Sequence, residues 1–118
     1  MYGLKNDIDL SFLVGREIIQ ISVGKVQVIL SFDHNTAISV EQRFEYRADG
    51  RSVVWKPGKM DAAGALLELI GGVVKSVGGE TNGTLTLEFL AGEVLIVMDA
   101  SEEFESYTIT QPGSTIVV

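Results

Sequence analysis

The clearest alternation of apolar and polar residues in the chain lies between positions 84 and 98. Every second residue from Leu85 to Phe89 is apolar, which predicts a strand with one buried face and one solvated face. A turn at Leu90-Ala91-Gly92 follows, and the next run, Val94–Met98, is apolar at every position. Such a run predicts a central strand that is covered on both faces.

The turn of this hairpin determines which side chains share a face. A two-residue type I′ turn would force Ala91 to positive φ, whereas a three-residue loop asks this only of Gly92, so we predict the three-residue loop. One face then carries Leu85, Leu87, Phe89, Leu95 and Val97, and the other carries Val94, Ile96 and Met98. The chain has one predicted helix, over residues 62–70, and a single helix can shield only one face of the sheet. We therefore expect Val94, Ile96 and Met98 to be covered by another part of the sheet folding over them or by another copy of the chain.

The chain before this hairpin shows the same strand pattern. One helical turn, Asp9 to Val14, is closed by Gly15. A hairpin then places Ile19, Ile21 and Val23 on one face of its first strand, turns at positions 23–26, and continues to Phe32. Further predicted strands cover residues 37–41, 43–47, 51–56 and 73–77, and, after the central hairpin, 104–110 and 115–118.

One segment is rich in strong helix formers. Asp61 is a good N-cap for a helix over residues 62–70, with Leu66, Leu69 and Ile70 on one face. We expect this helix to pack on the sheet. The fold class that follows is α+β: one domain over residues 1–118, with a mostly antiparallel sheet of about six to eight strands and one main helix.

The two halves of the chain follow a similar order. Leu13-Val14-Gly15 precedes a strand, a glycine turn and two further strands, and Leu69-Ile70-Gly71 precedes the same series. Either the chain contains an internal repeat of two βββ meanders, or two meanders of alternating residues align by chance. A true repeat predicts a pseudo-two-fold axis within one core.

Charge and composition narrow the range of functions. The net charge is −7, so we expect nucleic acid to be repelled. The chain has no cysteine, which excludes disulfides, thiolate nucleophiles and cysteine zinc sites. It shows neither a secretory signal nor an apolar run long enough to cross a bilayer, so we expect a cytoplasmic protein. Hydrophobic residues make up 46%, which fits a sheet-rich core or an oligomer that hides a second apolar face.

Few residues are candidates for chemistry or recognition. His34 lies alone in a predicted turn, and the acidic group Asp99, Glu102, Glu103 and Glu105 lacks the spacing of a calcium loop. We therefore predict no catalytic, cofactor or metal site and no enzymatic activity. Trp55, the sole tryptophan, is either a plug over the edge of the core or an interface anchor. Trp55 and Tyr107 are the candidate interface residues.

The C-terminal half resembles a known group of sequences. Its hairpin from Leu85 to Val97, followed by Phe104-Glu105-Ser106-Tyr107-x-Ile109-x-x-Pro112-Gly113, is similar to a family of small uncharacterised bacterial proteins that also open with a Met-Tyr-Gly-Leu-like start. In that family the aromatic unit usually ends in tryptophan, where this chain has Tyr107, and the hairpin turn carries Asp-Gly, where this chain has Ala91-Gly92. The resemblance implies a fold type and a bacterial source, and it implies no activity.

Two functional hypotheses from different classes follow. The first is a protein-interaction module of a bacterial cytoplasm, of the immunity type that neutralises a basic toxin, since the chain is acidic and lacks catalytic groups. The second is a small-molecule-binding domain with an apolar pocket between sheet and helix. We expect a closed or folded sheet within the monomer that also forms a homodimer.

Overall fold

A computed structural model describes Leu4 and residues 8–58, 63–99 and 106–118. These residues form ten strands in two five-stranded sheets, and every pair of neighbouring strands is antiparallel. The strands are β1 Ile18–Val23, β2 Val28–Phe32, β3 Thr36–Val40, β4 Arg43–Ala48, β5 Arg51–Trp55, β6 Val74–Gly79, β7 Leu85–Phe89, β8 Val94–Met98, β9 Tyr107–Gln111 and β10 Ser114–Val117.

Each sheet is assembled from both halves of the chain. The first sheet has the order β1-β2-β3-β9-β10, and the second has the order β5-β4-β8-β7-β6. The first three strands of one half therefore pair with the last two strands of the other half. After Val40 the chain crosses to the second sheet, where β4 pairs with β8.

This exchange is two-fold symmetric, which confirms the internal repeat. The backbone N–H groups of Gly15 and Ile18 donate to the carbonyls of Val74 and Gly72, at 2.8 and 2.9 Å. The reciprocal bonds run from Gly71 to Ile18 and from Val74 to Arg16, at 2.8 and 2.9 Å. Both halves also begin with a 3₁₀ helix and with a first strand that carries a bulge.

The inward faces of the two sheets enclose one hydrophobic core. The central hairpin has the three-residue loop expected from its sequence: Leu87 pairs with Leu95 and Leu85 pairs with Val97, and Gly92 has φ +102°. The five apolar side chains predicted to share a face are all buried in the core. The opposite face of β8, with Val94, Ile96 and Met98, is only half-buried, so the predicted cover on both faces is absent within the described chain.

The predicted α+β class is wrong, because the protein is nearly all-β. Helical structure in the described residues is limited to 3₁₀ helices at Ser11–Leu13 and Ala65–Leu69 and to two helical residues, Ala63 and Gly64. The predicted segment is shorter than the roughly 12 residues that a marginally stable helix needs and contains a glycine, which lowers helix stability by about 1 kcal/mol. The second sheet covers the core face assigned to the helix; the proposed cap, Asp61, lies outside the described residues.

The 3₁₀ geometry also explains which apolar residues of this segment are buried. Three residues per turn align Leu66 with Leu69, and both are buried. Ile70, which we expected on the same face, is 49% exposed.

The predicted face of β1 is wrong for a different reason. A bulge between Ile18 and Gln20 shifts the register, so that Ile18 and Ile21 are buried and Ile19 is exposed.

In the part of the chain that the structure describes, no helix is both long and apolar enough to cross a membrane.

Candidate functional site

An acidic cleft of about 300 Å³ opens at one end of the sandwich, where two hairpin turns and the second 3₁₀ helix meet. We call this feature the acidic cleft. Its lining residues are Tyr46, Ala48, Asp49, Glu68, Ala91, Gly92 and Glu93.

Two tight turns bring these residues together. Asp49 and Gly50 join β4 to β5 with φ values of +51° and +74°, as a type I′ turn requires. In the other turn, the Phe89 N–H donates to the Glu93 carbonyl at 2.9 Å, which places Glu93 at the entry to β8. The register of β4 on β8 sets Tyr46 opposite Leu95, two residues beyond Glu93. Both turns therefore end beside the Tyr46 side chain.

The Tyr46 hydroxyl is a buried polar group without a partner. The residue is 2% exposed, and its hydroxyl makes no hydrogen bond to any described group. Burial raises the pKa of this hydroxyl above its ordinary value, and the attraction of its proton to the Glu68 carboxylate, together with the negative charges of Glu68 and Glu93, raises it further. The Glu68 carboxylate therefore lies close to the hydroxyl, although no hydrogen bond of good distance and angle joins the two groups. At neutral pH the phenol is protonated and can both donate and accept.

The carboxylates of the acidic cleft differ in their hydrogen-bond and ion-pair partners. Glu68 Oε1 accepts a hydrogen bond from Arg51 Nη2 at 3.2 Å, and Asp49 Oδ2 lies 4.0 Å from the same nitrogen. Glu93 Oε1 is buried and has no partner among the described groups. Two carboxylates, those of Asp49 and Glu68, therefore lie near one guanidinium, and two oxygens, those of Tyr46 and Glu93, have no hydrogen-bond partner among the described groups.

The internal repeat shows that the fold does not require this cluster. In the aligned halves, Glu68 corresponds to Phe12, because each directly precedes a buried leucine, Leu69 and Leu13 respectively. Glu93 follows its three-residue turn as Thr36 follows the turn after Phe32, and Thr36 Oγ1 is satisfied locally by donating to the His34 carbonyl at 3.3 Å. The second inward residue of β4 is Tyr46, whereas the second inward residue of β9 is an isoleucine, at position 109. At the related end of the molecule, the positions that correspond to Glu68, Glu93 and Tyr46 thus carry neither a carboxylate nor a phenol.

The acidic cleft does not have the geometry of a metal centre. Among the residues that the structure describes, no three acidic or histidine side chains are grouped closely enough to hold a metal ion. Its available chemistry is hydrogen bonding and negative charge.

The two candidate interface residues, Trp55 and Tyr107, are both fully buried. The Trp55 ring stacks on Phe44 with centroids 5.3 Å apart and an interplanar angle of 12°, the packing expected of a plug. The Tyr107 hydroxyl donates to the Gly83 carbonyl at 2.6 Å, and burial raises its pKa. An interface role for either residue stays a prediction.

The remaining candidates lie away from the acidic cleft. His34 is exposed in its turn, where its Nδ1 accepts a hydrogen bond from Arg16 Nη1 at 2.9 Å. Of the C-terminal acidic group, Asp99 accepts a hydrogen bond from Ser106 Oγ at 2.7 Å, and the other three members lie outside the described residues.

Sequence reasoning missed Tyr46, Glu68 and Glu93 as a group, because they lie far apart in the chain and belong to different turns. The signal that could have found them is the repeat itself. Once the halves are aligned, Glu68 and Glu93 are among the positions at which one half carries a charge and the other a neutral residue.

Comparisons with known proteins identify a family. A model described as a family of unknown function, DUF6188, matches residues 10–118, which is most of the chain. No curated protein and no solved structure matches. The match agrees with the resemblance to an uncharacterised family, whereas the bacterial source and the C-terminal motif stay predictions.

Proposed function

Since the chain belongs to this family of unknown function, DUF6188, we propose from the geometry of the acidic cleft that it is a protein-interaction module that binds a basic side chain of its partner. The observation that carries the proposal is the pair of unsatisfied buried oxygens, on Tyr46 and Glu93.

These two oxygens define the chemistry of the ligand. Neither oxygen has a hydrogen-bond partner among the described groups, and both residues line the acidic cleft, so both oxygens are available to a ligand that enters it. A carboxylate oxygen and a phenol oxygen both accept, so one ligand that donates to both satisfies them. The excess of carboxylates favours a cationic donor over a neutral one. An arginine guanidinium or a lysine ammonium meets both requirements.

The size of the acidic cleft and the charge of the chain support a side chain presented by a protein. A volume of about 300 Å³ lies at the lower end of ligand sites, which suits one long side chain better than a large cofactor. The net charge of −7 attracts a basic partner at long range and speeds its association. An immunity-type protein that neutralises a basic toxin has both properties.

The alternative, a small apolar ligand between sheet and helix, has less support. Beside the second 3₁₀ helix, near Val53 and Ala65, the described chain leaves about 10 Å³, enough for about one water molecule. A free small cation remains a second source of the chemistry that the acidic cleft selects, and the experiment separates it from a protein.

The first arm of the test is an NMR titration with N-acetyl-arginine amide. Its control probe, N-acetyl-citrulline amide, has nearly the same shape without the charge. We expect the arginine probe alone to shift the amides of residues 46–49 and 91–93. Glu93→Gln and Tyr46→Phe should each weaken this response at least tenfold, whereas Glu80→Gln, the same change at an exposed site in another turn, should leave it unchanged. If both probes behave alike, the acidic cleft is not a cation site and the proposal is wrong.

The second arm identifies the source of the cation. Proteins from the native host are captured on the wild-type chain and on Glu93→Gln. A basic protein retained by the wild type and lost with the variant supports an interaction module. Binding of the arginine probe without any protein that depends on Glu93 would contradict the module and assign the acidic cleft to a small cation.

A further inference from the structure

A strip of apolar side chains runs along the outer face of the second sheet. Val94, Ile96 and Met98 point outward from β8 and are half-buried, while Leu95 and Val97 point into the core. β8 is the middle strand of its sheet, so the strip lies at the centre of the face. We call Val94, Ile96 and Met98 the β8 strip.

Charged residues of opposite sign lie on the two sides of the β8 strip. Val94 pairs with Arg47 of β4 on one side and with Glu88 of β7 on the other, and both charged residues are exposed. In the next row, Ile96 pairs with Glu45 and Thr86. An apolar centre with a charged rim is the anatomy of a protein interface.

We propose that a second copy of this chain docks on this face, with a two-fold axis that runs along β8 between the copies. Such an axis places β4 of one copy over β7 of the other and keeps each row in register. Arg47 then faces the partner's Glu88, and Val94 faces the partner's Val94. Glu45 faces the partner's Thr86, so no like charges meet in these two rows.

The charge pattern selects a second copy over an unrelated partner. An isologous interface must be complementary to itself, and this arrangement turns one Arg47–Glu88 row into two equivalent ion pairs. Arg47 already pairs with Glu45 on its own strand. The five N–H donors of its guanidinium leave others for the partner's carboxylate.

The internal repeat again supplies a matched comparison. In β3, the counterpart of β8 in the first sheet, the outward residues that correspond to Val94 and Ile96 are Ala37 and Ser39. The fold therefore does not require large apolar residues at these positions. At these two positions large apolar residues occur only in the second sheet, which favours that sheet as the docking face.

The test is the solution mass, measured by sedimentation equilibrium across the micromolar range. We expect the wild type to have twice the chain mass of 12.8 kDa. Arg47→Glu and Glu88→Arg should each halve the mass, because each sets like charges against each other, and the double charge swap should restore the dimer. As matched controls, Ile96→Lys should give a monomer and Ser39→Lys should leave the dimer intact, with circular dichroism verifying that each variant is folded.

Two results would overturn the proposal. A wild-type chain that sediments at 12.8 kDa throughout this range has no such interface. A dimer that survives both single charge reversals, or one that the double swap fails to restore, does not use the Arg47–Glu88 pairing.

Discussion

The two described tyrosines provide a direct measure of the unsatisfied hydroxyl in the acidic cleft. Tyr46 and Tyr107 are both buried, one in each sheet, and differ in one respect: the Tyr107 hydroxyl donates to the Gly83 carbonyl, whereas the Tyr46 hydroxyl has no partner in the described chain. Replacing each with phenylalanine removes one oxygen and leaves the ring in place. The difference in unfolding free energy therefore reports on the hydrogen bond and not on packing.

The two substitutions are expected to affect the unfolding free energy differently. Tyr107→Phe breaks a hydrogen bond whose net contribution is about 0.5–1.5 kcal/mol and leaves a buried carbonyl unsatisfied, so a loss of about 1–3 kcal/mol is expected. Tyr46→Phe removes a desolvated hydroxyl that gains nothing in the free protein, so its unfolding free energy should be unchanged or higher by about 1 kcal/mol. The two variants should thus differ by about 2 kcal/mol or more.

The assay is urea unfolding followed by the fluorescence of Trp55, whose ring is buried against Phe44. Equal m values for the three proteins would show that the same surface is exposed on unfolding, so that the midpoints can be compared. If Tyr46→Phe loses as much stability as Tyr107→Phe, the Tyr46 hydroxyl is satisfied in the free protein and the reasoning about the acidic cleft is wrong. A stable Tyr46→Phe that no longer responds to the arginine probe would show that the hydroxyl serves binding at the expense of stability.

Three further predictions concern packing, a turn and ionisation. Leu66→Asp should cost several kcal/mol because it buries an unpaired carboxylate, while Leu67→Asp, at a 49% exposed neighbour, should cost less than about 1 kcal/mol in the same urea assay. Gly83→Ala should lower the melting temperature more than Gly92→Ala, because both residues have positive φ but only at Gly83 would a methyl group overlap the Asp99 side chain; equal losses would exclude the overlap. Because the pKa of each buried tyrosine is raised in the folded protein, the contribution of these hydroxyls to stability is fully present below the ordinary pKa of 10.0 and is lost as the pH rises above it. The unfolding free energy should therefore decline above that pH. Tyrosinate absorbance should show that these two tyrosines ionise only when the protein unfolds.

Local pattern was enough to predict much of the fold. The alternation from Leu85 to Phe89 and the conformational demand on Gly92 determined the register of the central hairpin. The repeat was visible because both halves place a glycine and a first strand directly after a short helical turn. These features depend on neighbouring residues, which a single sequence shows directly.

The exchange of strands between the halves could not be predicted in this way. The alternation of Phe44 and Tyr46 predicts a strand but does not indicate which strand pairs with it. That β4 pairs with β8 and not with β3 depends on contacts between residues far apart in the chain. The helix prediction failed because helix-forming residues were weighed without the cost of starting so short a helix. The acidic cleft was missed because an unsatisfied oxygen on Tyr46 is a property of three-dimensional packing.

The exchanged hairpins also constrain how the chain can fold as it is synthesised. β3 has only β2 beside it until β9 has been made, because Ala37 pairs with Thr110 near the other end of the chain. A nascent chain that stops short of β9 therefore presents an open strand edge, the feature through which proteins aggregate. Neither half can complete a sheet alone, so we expect folding to begin only after translation has passed β9 and to proceed as one cooperative event.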